Sequence, residues 1–351
     1  MKTISIIIIN HNYGEFLAES IRSCLSQNRP PHEIIVVDDG STDCSRDIIA
    51  GFSSLLRPVF HDQRGHVESV NSGFQISSGQ ICIFLDADDF LHSNCLEIVD
   101  ENWEEGLSKL QYRLDTVDRQ GVDQKMPFPS FSHKLTPDEV FRQSLLYGVY
   151  PWTVSSGNAY SREFLLELLP IDSVKVYRSP DGYLNKLAPL YGRVKSLDAI
   201  LGSYRVHGQN AWAQDAKSVK VEPIIRWLNF DLVLQSHFMK AAENRQLPLG
   251  KRRDIRSLQQ LEYRMLASRL APDQSPHIGD KSSVLFFKGI VFLLDAPNVN
   301  YTGRFVWLAW IFTMAFMPSS VVRLVFQAAR GQIGRWSIFD RIIRKSQKMR
   351  D

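Results

Sequence analysis

Three carboxylates in four residues, Asp86-Ala87-Asp88-Asp89, stand directly after the apolar run Ile81 to Leu85. Such a run reads as a buried strand, and residues at alternate positions straight after it point to similar sides. Asp86 and Asp88 are therefore spaced to meet one hard divalent cation, which needs few protein carboxylates when phosphate oxygens supply its other ligands. Acids grouped at a sheet edge are costly unless a cation or a ligand hydroxyl meets them. Taken alone, the triplet could equally be a helix-capping turn. A second acidic pair, Asp38-Asp39, closes the run Ile34 to Val37 and is followed by Gly40-Ser41.

These acids need a scaffold, and the flanking pattern supplies one. Ile4 to Ile9 is a continuous β-branched run, as expected of a strand covered on both faces and unlike a signal peptide, since polar Asn10, His11 and Asn12 follow at once. Phe16, Leu17, Ile21 and Leu25 recur at helical spacing, and Pro30-Pro31 breaks the chain before the Ile34 strand. Ser41-Thr42-Asp43 can cap a helix from about Ser45 to Phe52, Val59-Phe60 can start a short strand, and Val67 to Ile76 reads as a helix closed by Ser77-Ser78-Gly79. Strands alternating with helices predict an α/β fold, a doubly wound and mostly parallel sheet flanked by helices, with ligands outside the carboxyl ends of the strands. Both acidic clusters fall on that edge.

Further along, Lys109 to Asp115 is expected to return to the sheet and Gly121 to Pro137 to form a loop. Helices are expected near Asp138 to Leu146, Arg162 to Leu169 and Ser179 to Tyr191, with loop or short strand over Trp152 to Tyr160 and a strand over Ala199 to His207. Ser218 to Arg269 is rich in helix formers. The expected organisation is an α/β domain over 1–215, a helical extension over 216–300, and an apolar and basic segment over 301–351.

In chain order, SIIIINHN, EIIVVDDGSTD, NSGFQISSGQICIFLDADD, SPDGYL and YRVHGQN resemble the segments of family-2 glycosyltransferases with the GT-A-type fold, over roughly Ile4 to Asn210. Each segment is weak alone; five in the family's order and approximate spacing are specific. The resemblance implies a nucleotide-sugar donor with uridine as the family-level base, Mg²⁺ or Mn²⁺ as cofactor, and transfer with inversion at the anomeric carbon. It implies that Ile9, Asn10 and Asn12 lie against the nucleoside, that Asp39 accepts a hydrogen bond from the base, and that Asp38 supports the turn in which Gly40 allows close backbone approach. Asp86 would face the ribose and metal-bound waters, Asp88 would ligate the metal, and Asp89 would be a supporting or acceptor-side carboxylate. Asp181 occupies the family's acidic position and would be the base that takes the acceptor proton; Pro180 stands where many members carry a second acid. His207 matches a position that often reaches the diphosphate or metal, and Trp152 and Asn158 fall where relatives shape the acceptor pocket.

Plainer readings stand beside these. Asp38 and Asp43 could cap the next helix, Asp181 could cap its own, His207 could pack at a strand end, and Trp152 could be core. Arg64 and His66 precede a helix whose start could meet donor phosphates, although surface charge accounts for both. A nucleotidyltransferase or other metal-dependent nucleotide enzyme is one rival, yet no GxxxxGK[ST] or GxGxxG follows a strand. A non-catalytic, membrane-associated subunit on the same fold is another.

A net charge of +3 is too small to call for nucleic acid, but it is unevenly placed. Residues 305–322 carry no charge and are interrupted by Pro318-Ser319-Ser320, so the unbroken apolar stretch is shorter than the ~20 residues a spanning helix needs. Arg323, Arg330, Arg335, Arg341, Arg344, Lys345, Lys348 and Arg350 follow, beside Trp307, Trp310 and Trp336 as expected interfacial anchors. This combination predicts peripheral contact with the cytoplasmic face of a membrane, consistent with a glycan or lipid-linked acceptor. Four cysteines without a CxxC pair suit a reducing setting.

Overall fold

The computed structural model describes residues 1–129, 135–174, 176, 179–207, 221–249, 254–296, 299 and 301–330, the last four by backbone alone. Asn210 of the last family segment, together with Trp336 and the basic positions from Arg335 to Arg350, lies outside them. The chain divides into two compact units. Met1–Ser144, Tyr150–Arg205 and His237–Leu247 form the first; Leu145–Val149, Val206–Ser236 and Pro248–Asp351 form the second.

The first unit opens with β1 (Ile4–Asn10), α1 (Gly14–Leu25), β2 (Glu33–Asp39), α2 (Ser45–Gly51), β3 (Arg57–His61), α3 (His66–Ile76) and β4 (Ile81–Asp86). Every residue of β1 is buried, which is why its sequence shows no polar alternation. α1 lays Phe16, Leu17, Ile21 and Cys24 inward. α3 buries Val67, Val70 and Phe74, and its approach to the sheet requires Gly73: a Cβ there would stand 2.3 Å from Ile7 Cγ2.

The chain continues through β5 (Phe90–Leu91), α4 (Cys95–Asn102), β6 (Leu107–Val117), α5 (Pro137–Tyr147), β7 (Asn158–Ser161), α6 (Arg162–Leu168), α7 (Pro180–Tyr191) and β8 (Arg193–Arg205). The sheet order is β3-β2-β1-β4-β7-β6-β8-β5. β3, β2, β1 and β4 are mutually parallel, as the strand–helix alternation predicts. β7 enters antiparallel between β4 and β6, β8 runs parallel to β6, and β5 is antiparallel to β8, so the second half of the sheet is mixed. β8 begins at Arg193, six residues before the expected Ala199, because its first turns are polar and partly exposed.

The second unit holds the start of α8 (Val221–Asn244), then α9 (Leu258–Leu270), α10 (Ser282–Asp295), α11 (Tyr301–Phe316) and α12 (Ser319–Arg330). Its core gathers Leu261, Met265, Leu266, Phe292, Ile311 and Met314. The break at Pro318 separates α11 from α12. Among the described residues no helix is long and apolar enough to cross a membrane. One expectation is corrected here: Trp307 and Trp310 are not presented as interfacial anchors. They are buried, and the Trp310 indole N–H donates to Glu262 Oε1 at 3.0 Å; on a helix apolar all round, aromatic type alone does not tell inside from outside.

Candidate active site

The parallel register places the acids. Asn10 pairs with Asp38, and Ile9 pairs with Asp86 on the other side. The carboxyl ends of β2, β1 and β4 therefore lie side by side, and two inter-strand spacings put Asp38 and Asp86 roughly 10 Å apart along the edge. Asp38 is fully buried and braces the turn: it accepts from Asn10 Nδ2 at 2.8 Å, from the Ser41 amide at 3.3 Å, and from exposed Arg46 Nε at 3.3 Å. Asn12, at φ 57, accepts from the Thr42 amide through its side-chain oxygen at 2.8 Å. Ile9 is buried, and its carbonyl accepts from the Ala87 amide at 3.1 Å, tying the first loop to the acid triplet.

Asp39 is also buried. Its two oxygens accept from the backbone amides of Arg64 at 2.7 Å and Gly65 at 2.8 Å, while His61 Nδ1 lies 3.2 Å away. The carboxylate thereby shapes the loop that launches α3; a carboxylate has about four lone-pair sites, so a further donor can still be met. Gly40, at φ +68, makes room for that same loop, since a Cβ would stand 2.6 Å from Gln63 N. The Arg64 side chain is exposed; its backbone, not its guanidinium, is what Asp39 holds.

The triplet turns tightly, with the Asp89 amide donating to the Asp86 carbonyl at 2.9 Å. Asp89 is buried and accepts from Ser156 Oγ at 2.6 Å and from the Arg205 amide at 2.9 Å, which joins β4 to the end of β8. Arg205 is buried behind the turn, donating to the Asp88 carbonyl at 2.9 Å and to the Arg119 carbonyl at 2.9 Å and pairing with Glu19. Arg205 therefore holds the turn in place from behind. Asp88 is buried and Asp86 partly exposed. Desolvation, then the negative charge of Asp88, push the carboxyls of Asp86 and Asp89 well above the ordinary range, and Asp181 adds to the effect on Asp86.

α7 begins at this acidic group. Ser179, not Asp181, is its N-cap: Ser179 Oγ accepts from the Gly182 amide at 3.2 Å and donates to Asp181 Oδ1 at 2.5 Å. The capping alternative for Asp181 is thus taken by its neighbour, and Asp181 is held in the first turn by the capping hydroxyl. Asn158, at the start of β7, is fully buried and its side-chain amide donates to the Val154 carbonyl at 2.6 Å, so it shapes the turn before that strand. Trp152 is half-buried, edge-on to Tyr150 with ring centroids 5.3 Å apart. His207 stands two residues beyond β8, in the second unit.

The sequence places His66 only near donor phosphates or among surface charges, and does not single out Lys109. His66, first residue of α3, brings Nε2 to 3.6 Å from Asp86 Oδ1 without a hydrogen-bond partner, and burial lowers its pKa so that the imidazole is neutral near pH 7. Lys109 is fully buried beneath α7, donating to Gln111 Oε1 at 2.9 Å and to Asn185 Oδ1 at 2.6 Å, one helical turn beyond Asp181. Burial pushes its pKa down and Asp181 opposes that. The available signal was the polar pair Lys109 and Gln111 alternating with Leu110 and Tyr112, which places both on one strand face.

Among the described residues no three His, Cys, Asp or Glu side chains are arranged to hold a metal unaided. The carboxylates nevertheless fit a hard cation that takes only one or two of them and completes its shell with phosphate oxygens, and their crowding together with the orphaned His66 nitrogen favours such an ion.

Residues 5–169 match the family described as Glycosyl transferase family 2. An uncharacterized glycosyltransferase of Nostoc sp. is 33% identical over 213 residues, 59% of this chain and 66% of the relative. A poly(ribitol-phosphate) beta-glucosyltransferase of Bacillus spizizenii is 29% identical over 170 residues, 41% of this chain and 25% of the relative. The chain thus spans less than two thirds of the length of these relatives. Among solved structures, S. aureus TarS 1–349 in complex with UDP-GlcNAc aligns over 93% of this chain and 90% of its own, at 15% identity and a TM-score of 0.47.

Proposed function

We propose, from the match of residues 5–169 to glycosyl transferase family 2, that this chain moves a sugar from a nucleoside diphosphate donor, a UDP-sugar, to an acceptor hydroxyl with inversion at the anomeric carbon. The observation that carries this reading is the grouping of Asp86, Asp88 and Asp89 just after β4, where Asp86 feels the charges of Asp88 and Asp181 and Asp89 feels those of Asp88 and Asp86. A divalent cation would offset part of that charge, with the donor diphosphate completing the shell of the ion. Asp88, with Asp86 beside it, would hold Mg²⁺ or Mn²⁺, and the ion would supply positive charge to the leaving diphosphate.

The protein's own residues do the rest. Ile9, Asn10 and Asn12 with Asp39 receive the nucleoside, and Asp38 keeps their turn in shape. The first turn of α3 has no side-chain cap, so its amides and positive dipole end suit phosphate oxygens, with Arg64 before it as an exposed cation. Asp181 takes the acceptor proton as the acceptor oxygen bonds to the anomeric carbon; the bond to the phosphate oxygen breaks and its electron pair leaves with the nucleoside diphosphate. Asp89 supports the turn, and Trp152, with the loop that Asn158 shapes, borders the acceptor. A surface glycan or a lipid-linked saccharide at the cytoplasmic membrane face is the acceptor class that the basic C-terminal sequence favours.

The stereochemistry is decided by NMR of the product. An α-linked donor yields a β-linked product with the large anomeric coupling of a gluco-configured sugar; an α-linked product rules out single displacement by Asp181.

A further inference from the structure

Helices α10 and α11 are apolar on nearly every side, yet each is covered on only one. α11 turns Trp307, Trp310, Ile311 and Met314 inward and leaves Phe305, Leu308, Phe312 and Phe316 exposed at helical spacing. α10 buries Leu285, Phe292 and Leu293 and leaves Phe287, Val291 and Leu294 exposed. Phe287 and Phe305 are 64% and 72% exposed, too open to be core side chains. Phe286 joins the two stripes, its ring 5.5 Å from Phe287, 6.0 Å from Phe312 and 5.1 Å from Phe316. A continuous apolar face of this kind marks a docking surface.

Charge identifies what docks there. Residues 281–351 hold eleven of the chain's 41 Lys and Arg but only three of its 38 Asp and Glu, which leaves the first 280 residues with 30 cations against 35 anions. Lys281, Arg304 and Arg323 fall within or beside these helices, Lys288 is paired with Asp254 at 2.6 Å, and Asp295 is the one acid from 281 to 330. A second copy meeting this face symmetrically, or the basic segment 331–351 folding back on it, would set like charge on like charge. An anionic bilayer surface matches both the apolar stripe and its cations. α11, at 16 residues, is about 24 Å long, shorter than the ~30 Å hydrocarbon core, so such a helix lies in the interface and does not cross it.

We propose that the joined phenylalanine stripes of α10 and α11 are the seat of this chain on an anionic lipid surface. The inference rests on the peripheral membrane location proposed above and assigns it to these phenylalanines, not to tryptophans. It is tested by flotation of the full chain with vesicles of phosphatidylcholine alone or with three parts in ten of phosphatidylglycerol, for the native sequence, Phe287→Ser/Phe305→Ser, and Val291→Ser/Leu294→Ser as a second variant in case the first does not fold. The native chain is expected to float with the anionic vesicles and less in high salt; each folded variant is expected to lose more than about tenfold in partition with its melting temperature unchanged. If the native chain floats with neither vesicle, the membrane location and the seat both fall. If the native chain and the folded variants float alike, the location stands and the seat is overturned. A native dimer that the variants turn into a monomer without vesicles also overturns it, in favour of a second copy.

Discussion

Asp181→Asn is expected to lower the rate of sugar transfer about 10³-fold, within the range usual for loss of a general base, with nucleotide binding and the melting temperature close to native. The substitution keeps the shape of the side chain and an oxygen to accept from Ser179 Oγ, and the N-cap of α7 belongs to Ser179. What the amide cannot do is take a proton. Loss of a negative charge in the first helical turn costs a fraction of a kcal/mol to about 1 kcal/mol, and relief of repulsion toward Asp86 works the other way. Single-turnover kinetics with a saturating donor separate the two roles: undiminished transfer removes Asp181 from the mechanism, whereas lost donor binding makes it a structural residue.

Asp88→Asn is expected to act in opposite directions on activity and stability. Turnover falls by at least about 10²-fold because the cation loses its direct ligand. Without cation, the variant is the more stable protein at pH 7. The sign follows from Asp86 and Asp89, whose folded carboxyls sit above their ordinary range through burial and then through Asp88. Groups raised in this way contribute stability that is present below the unfolded aspartate value, about 3.9, and lost as pH rises through the folded values. Removing Asp88 lowers those folded values and lessens the loss. Melting curves in chelator should therefore diverge as pH rises, with the variant above at neutrality. His66 also feels the charge of Asp88, whose loss lowers the imidazole pKa further; a lowered histidine costs stability only below its ordinary value, about 6.5, so this works against the variant at acid pH and leaves the sign at neutrality unchanged. A variant less stable than the native chain at every pH contradicts the electrostatic account of the triplet.

The parallel half of the sheet was legible because each of its long strands is an apolar, β-branched run ending in acids or amides: Ile4 to Ile9 before Asn10, Ile34 to Val37 before Asp38, Ile81 to Leu85 before Asp86. Burial on both faces writes that pattern directly. The antiparallel insertion of β7 was not legible, since four residues, Asn158 to Ser161, are too few to show a period. Nor was the support under α7, where Lys109 and Asn185 meet across 76 positions of chain, or the Asp39 contact with the Arg64 and Gly65 amides, which depends on where β3 ends. Local pattern carries strand and helix identity; pairings between distant polar groups become visible only when the sheet brings their strand ends together.

The central claim, that these carboxylates bind a nucleoside diphosphate through a divalent ion, is tested most directly by thermal unfolding of the full chain with UDP and Mn²⁺, each alone and together. Stabilisation by UDP that appears only with Mn²⁺, grows with UDP concentration as mass action requires, and vanishes in Asp88→Asn is the result this account predicts. An equal shift by UDP in chelator, or no shift with any nucleoside diphosphate from a folded chain, would contradict it.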